Sequence, residues 1–203
     1  MGLSSFIPRY MSYSLNEFEA LALKASRGAG LPWGLAEEAG KAVRILSSFG
    51  FDAGPILLEA LKAPKHEYNG LMFGPSLCDN PGQLTRLKID EPLTAPGLLI
   101  AFVTLAVATA DLCICLKWKH CEVYISKWEL YASSIDGFYA REASPVWITT
   151  VKAPKGHKQK SYDRAFIADD IYETLNALAA KTYAPATEAS RISGAGSGLS
   201  DND

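Results

Sequence analysis

Leu112–Ser126 reads LCICLKWKHCEVYIS, and its alternation decides what kind of fold this chain builds. Leu112, Ile114, Leu116 and Trp118 alternate with Cys113, Cys115 and Lys117. Cys121, Val123 and Ile125 then alternate with Glu122, Tyr124 and Ser126. Period-two alternation in two adjacent runs predicts a β-hairpin. A two-residue loop at Lys119-His120 pairs Trp118 with Cys121 and Lys117 with Glu122. One face is then wholly apolar, and the other carries a cross-strand pair of opposite charge. A slip of one residue would turn Leu116 and Trp118 to the polar side. Neither Lys119 nor His120 favours the positive φ of tight hairpin turns, so a longer even-numbered loop with the same faces stays open.

The register also decides a question of chemistry. Cys113, Cys115, His120 and Cys121 have the ligand types that zinc prefers. On the hairpin, however, Cys113 and Cys115 share one face and Cys121 takes the other. The expectation is small buried or half-buried thiols and no metal.

Upstream, Pro96–Ala110 contains no charged residue and ends at Asp111. Proline can open a helix and the alanines favour one, so the segment reads as a buried helix. Its β-branched Ile100, Val103, Thr104 and Val107 keep a buried strand pair open. Leu98–Leu116 is nearly long enough to span a membrane. Asp111 would cost such a span about 3 kcal/mol, and the strand pattern beginning at Leu112 argues against one continuous helix.

The N-terminal half is organised by Lys24–Gly50, KASRGAGLPWGLAEEAGKAVRILSSFG. A first helix starts at Ser14, where Ser14-Leu15-Asn16-Glu17 forms a capping box. Gly28 and Gly30 end it. Pro32 opens a second helix whose core stripe is Leu35, Ala39, Ala42, Leu46 and Phe49, with Gly50 as its stop. Glu37 and Lys41 are spaced for an ion pair. Gly34 and Gly40 each cost that helix about 1 kcal/mol relative to alanine, which close helix packing or a ligand would offset. A third short helix runs from Gly54 or Pro55 to Lys62. Residues 63–95 read as irregular, with a short strand around Leu84–Ile89. Downstream, Val146–Val151 is a strand, Lys152–Lys160 a basic solvated loop, and Ile167–Tyr183 a helix with Asp169 and Asp170 in its first turn.

The chain has 203 residues, a net charge of −2 and four cysteines. It is long enough for one domain over 1–203, with 1–12 a possible disordered extension (Met11 being a candidate start) and 185–203 a glycine-rich tail. Its charge balance gives no field that would draw nucleic acid or an anionic membrane. Cysteine usage and the lack of an apolar leader fit a reduced, cytoplasmic protein. No serine sits in a nucleophile elbow, and Gly194-Ala195-Gly196-Ser197-Gly198 has no lysine or helix after it to make a phosphate loop. No cofactor is implied.

Two strings, Ser14–Arg44 (SLNEFEALALKASRGAGLPWGLAEEAGKAVR) and Lys181–Asp203 (KTYAPATEASRISGAGSGLSDND), resemble an uncharacterised bacterial family known as a domain of unknown function, DUF3726. The resemblance brings no activity, cofactor or catalytic residue. It implies that the tail is an ordered part of the domain.

The expected fold is α+β: an N-terminal helical pair and short third helix, a buried helix, a small antiparallel sheet with a hairpin, and a long C-terminal helix with an ordered tail. The expected function is a non-catalytic or accessory protein that binds a small anionic metabolite or a partner enzyme. The residues singled out for binding are Glu37, Arg44, Thr187, Glu188, Ser190 and Arg191, because an arginine fork pairs with carboxylate or phosphate. One alternative is an enzyme using Glu37, Glu38 or Glu188 as acid or base. The other is a structural interaction module docking through an exposed apolar hairpin face.

Overall fold

The computed structural model describes residues 9–62, 67–108 and 112–183. The chain enters as strand β1 (Tyr10–Ser14) and passes into α1 (Leu15–Gly28). The capping box at that junction is formed: Ser14 Oγ accepts the Glu17 N–H at 3.1 Å and Glu17 Oε2 accepts the Ser14 N–H at 2.7 Å. Helices α2 (Trp33–Ser48), α3 (Ala53–Lys62) and α4 (Gly70–Asp79) follow. Next come β2 (Arg86–Ile89), β3 (Leu93–Thr94) and α5 (Leu98–Val107). Strands β4 (Cys113–Trp118), β5 (Cys121–Ser126) and β6 (Glu129–Ile135) form a meander. The chain continues through β7 (Glu142–Ala143), β8 (Val146–Val151), β9 (His157–Lys158), β10 (Arg164–Ala168) and α6 (Asp169–Ala180). This is an α+β fold.

The main sheet has the order β2-β8-β4-β5-β6-β9, and every pairing in it is antiparallel. The hairpin takes the expected register: Trp118 opposes Cys121 and Lys117 opposes Glu122 across a turn at Lys119-His120. Lys119 adopts a φ of +44° to make it. Lys117 Nζ lies 2.7 Å from Glu122 Oε2. On the opposite face Ile114, Leu116, Trp118, Val123 and Ile125 are fully buried, so it does not offer the exposed docking surface that one expectation required. Burying about five large side chains at 1.5–3 kcal/mol each makes this face a main source of stability.

α5 covers this face, touching β4 and β5. Eight of its ten residues are buried, so the all-apolar segment is a helix and the strand alternative is excluded. No helix among the described residues is long and apolar enough to cross a membrane.

Three boundaries differ from expectation. Helix α4 lies inside the stretch read as irregular. Its glycines and Pro75 hide it from propensity, yet Gly74 lets Phe102 of α5 pack flush, since a Cβ there would fall 1.9 Å from the ring. Asn69 caps α4 by accepting the Leu71 N–H at 2.9 Å. The C-terminal helix begins at Asp169, because Ile167 belongs to β10. Tyr10, Met11 and Ser12, in the stretch read as a possible disordered extension, pair with Ala168, Ile167 and Phe166.

Candidate functional site

The residues singled out from sequence are not gathered into one place. Arg44 faces α1, where Nη1 donates to Asn16 Oδ1 and lies 3.2 Å from Glu19 Oε2. Its fork ties two helices together. Glu37 is exposed. Lys41 pairs with Glu38, three residues before it, at 2.8 Å, while Glu37, the partner expected from the spacing, acts on it only through its charge. Thr187, Glu188, Ser190 and Arg191 lie outside the described residues. The cysteines are divided by the hairpin as the register requires. Burial raises the Cys113 and Cys115 thiols and pushes Cys121 up to about 12, so all three stay protonated at neutral pH.

A cleft lies elsewhere, at the C-terminal end of α2. Gly50 ends this helix with a φ of +83°, which only glycine adopts freely, and the chain turns through Phe51 and Asp52 into α3. A Cβ on Gly50 would fall 2.6 Å from the Tyr162 ring, so the missing side chain keeps this corner open. Tyr162 is held over it by its N–H, which donates to the Ser48 carbonyl at 2.8 Å.

Two neighbouring hollows have Gly50, Phe51 and Tyr139 in common among their lining residues. The wider, of 460 Å³, is completed by Ile135, Phe138, Tyr162 and the rim residues Lys158, Gln159 and Lys160. The narrower, of 180 Å³, is completed by Tyr10, Ser47, Asp52 and Phe166. Tyr10 and Phe166 reach it from one face of the β1–β10 ribbon, where Tyr10 opposes Ala168 and Phe166 opposes Ser12. Tyr139 is fixed from behind: its ring meets Phe138 edge-on at 4.7 Å, and Phe138 stacks on Phe51 at 4.0 Å. Tyr10, Tyr139 and Phe166 are nonetheless about half exposed, at 53%, 54% and 49%. Three large rings left in water around one recess are a departure from ordinary surface.

Polar groups converge there too. Asp52 caps α3, its Oδ1 accepting the Gly54 N–H at 3.2 Å. Its own N–H donates to Tyr139 Oη at 3.2 Å. Burial, with a further push from Asp170, raises the Asp52 carboxyl from 3.8 to about 6, against the lowering effect of the Gly54 N–H. Ser47 is 1% exposed and its Oγ has no hydrogen-bond partner among the described residues, although the next residue, Ser48, bonds back to the Ile45 carbonyl at 2.7 Å.

Asp52 sets a pH dependence. Below about pH 3.8 it is protonated whether folded or unfolded; up to about 6 the unfolded chain ionises first, so stability falls as pH rises through this window. Asn keeps the cap without the charge. Asp52→Asn is therefore expected to leave stability unchanged near pH 3.5 and to raise it by about 1 kcal/mol above pH 6.5, after discounting for the carboxyl's remaining contact with water. Urea melts at the two pH values check this.

Sequence reasoning missed the cleft because its residues come from four separated segments. The nearest local signal is Gly50-Phe51-Asp52, a helix stop followed at once by an N-cap.

Comparison with curated proteins gives no match, and neither does comparison with solved structures. Residues 13–115 match the family described as "Protein of unknown function (DUF3726)". That span includes Ser14–Arg44, Ser47 and Asp52, while Tyr139, Lys160 and Phe166 lie beyond it. The match covers just over half of the 203 residues, and the chain belongs to this family of unknown function.

Proposed function

We propose that the protein is a binding protein with no chemistry of its own, taking a small anionic metabolite in the 460 Å³ hollow. The observation that carries this reading is the cleft's polarity. Its charged lining is cationic at the wide end, Lys158 and Lys160, and acidic at the narrow end, Asp52. Lys158 is already paired with Glu129. Lys160 has no ion-pair partner among the described residues and is the group that meets the acid. Tyr162, Phe138 and Ile135 supply the apolar walls that small-molecule sites require.

Calorimetric titration with inorganic phosphate tests this. The wild type is expected to bind it, and Lys160→Ala to weaken binding about tenfold, the loss of one charge-assisted hydrogen bond. Binding unaffected by Lys160→Ala, or absent from the wild type, overturns the reading.

Asp52 favours a second reading, an enzyme in which this carboxyl moves a proton. A carboxyl near 6 is poised for acid–base work, and Tyr139 Oη lies beside its backbone. Turnover of a bound compound, lost in Asp52→Asn while binding persists, would select it over pure binding.

A further inference from the structure

The narrow recess differs in chemistry from the hollow beside it. Four of its seven lining residues are aromatic: Tyr10, Phe51, Tyr139 and Phe166. No lysine or arginine lines it among the described residues, and its one carboxyl group is that of Asp52. The carboxylate of Asp170, in the first turn of α6, also acts on Asp52, so the local field is negative. Aromatic rings carry negative π faces, which attract cations, and more strongly where water is displaced. A volume of 180 Å³ equals that of about six liquid waters, which suits a compact, rounded group better than a flat ring system. Ser47 also lines it, and its Oγ is buried with no hydrogen-bond partner among the described residues.

From this geometry we infer that the recess is an aromatic cage for an organic ammonium group. The inference rests on the anion-binding reading of the adjoining hollow and extends it: the ligand is a zwitterion, with its acid at Lys160 and its ammonium between the rings and Asp52. The two ends of the cleft then read the two ends of one molecule. An anion lacking the ammonium fills only half of the site. Arg44 and Glu37 take no part.

The test is calorimetric titration of the full chain at pH 7.5 with three probes: inorganic phosphate, tetramethylammonium and phosphocholine. Phosphocholine is expected to bind at least tenfold more tightly than either of the others. Asp52→Asn and Phe166→Ala are each expected to weaken phosphocholine and tetramethylammonium about tenfold and to leave phosphate unchanged. Circular dichroism melts of both variants confirm that they are folded. Phe166→Tyr, which keeps a ring, is expected to restore binding. If phosphate binds through Lys160 while phosphocholine binds no better than phosphate, the cage is overturned and the anion-binding reading stands. If tetramethylammonium binds, sensitive to Asp52→Asn, while phosphate does not, the cage stands and the anion-binding reading falls. If no probe binds, both fall.

Discussion

Trp118→Ala is expected to cost the folded protein about 3–5 kcal/mol, the loss typical of truncating a large buried aromatic side chain. Trp118 ends β4 on the apolar face, 1% exposed, in the layer that α5 covers. Two terms add. The indole leaves a cavity that the close-packed sheet and helix cannot fill by small adjustments. Its Nε1–H donates to the Gly137 carbonyl at 2.8 Å, so truncation also strips a buried acceptor of its partner. The Gly137 segment leads directly into Phe138 and Tyr139, so the cleft should loosen with the core. Trp128, 57% exposed, is the matched control, and Trp128→Ala should stay within about 0.5 kcal/mol of wild type. Urea denaturation measures both. A loss below about 1 kcal/mol for Trp118→Ala would mean that the hairpin's apolar face is not the core.

Gly28→Ala carries the second large effect. Glycine-to-alanine inside a helix ordinarily gains about 1 kcal/mol. At Gly28 the new Cβ would stand 1.8 Å from the Leu178 carbonyl oxygen of α6 and 2.7 Å from its carbon. Backbone cannot rotate aside as a flexible side chain can, so α1 and α6 must separate, and a net loss of about 2 kcal/mol is expected. Gly34 supplies the contrast. It lies in the first turn of α2, exposed, with nothing within 4 Å of the point that an added Cβ would occupy. Gly34→Ala should gain up to about 1 kcal/mol. Opposite signs for one chemical change, read as shifts in Tm, isolate close helix approach from helix propensity.

These glycines mark the boundary of what the sequence discloses. The sequence places Gly28 at the end of α1, and it does fall in the last turn, but its physical role is contact with a helix about 150 residues later. Gly40 fits the expectation of close packing: its Cβ position lies 3.0 Å from the Glu19 carbonyl oxygen of α1. Gly34, read the same way, packs against nothing. A glycine announces that a side chain is unwelcome or unnecessary, and only the tertiary neighbour says which.

The hairpin is legible down to its register because alternation is local and a one-residue slip inverts both faces. Arg44 is legible as a cation away from the apolar stripe. Its partners, Asn16 and Glu19, sit a whole helix away, and they turn a plausible ligand-binding group into an interhelical tie. The cleft is illegible for the same reason at larger scale. No local pattern sets Tyr10, Phe51, Tyr139 and Phe166 apart. What sets them apart is convergence on one recess with Ser47 and Asp52, which depends on β1 pairing with β10 and on the corner at Gly50.

The most direct test of the cleft is a backbone amide NMR titration with inorganic phosphate. Shifts are expected to concentrate on Gly50, Phe51, Gln159 and Lys160, which share the 460 Å³ hollow, and to vanish in Lys160→Ala. Shifts centred instead on Lys24, Arg27 and Lys181, the cations of the groove between the C-terminal ends of α1 and α6, would contradict the account.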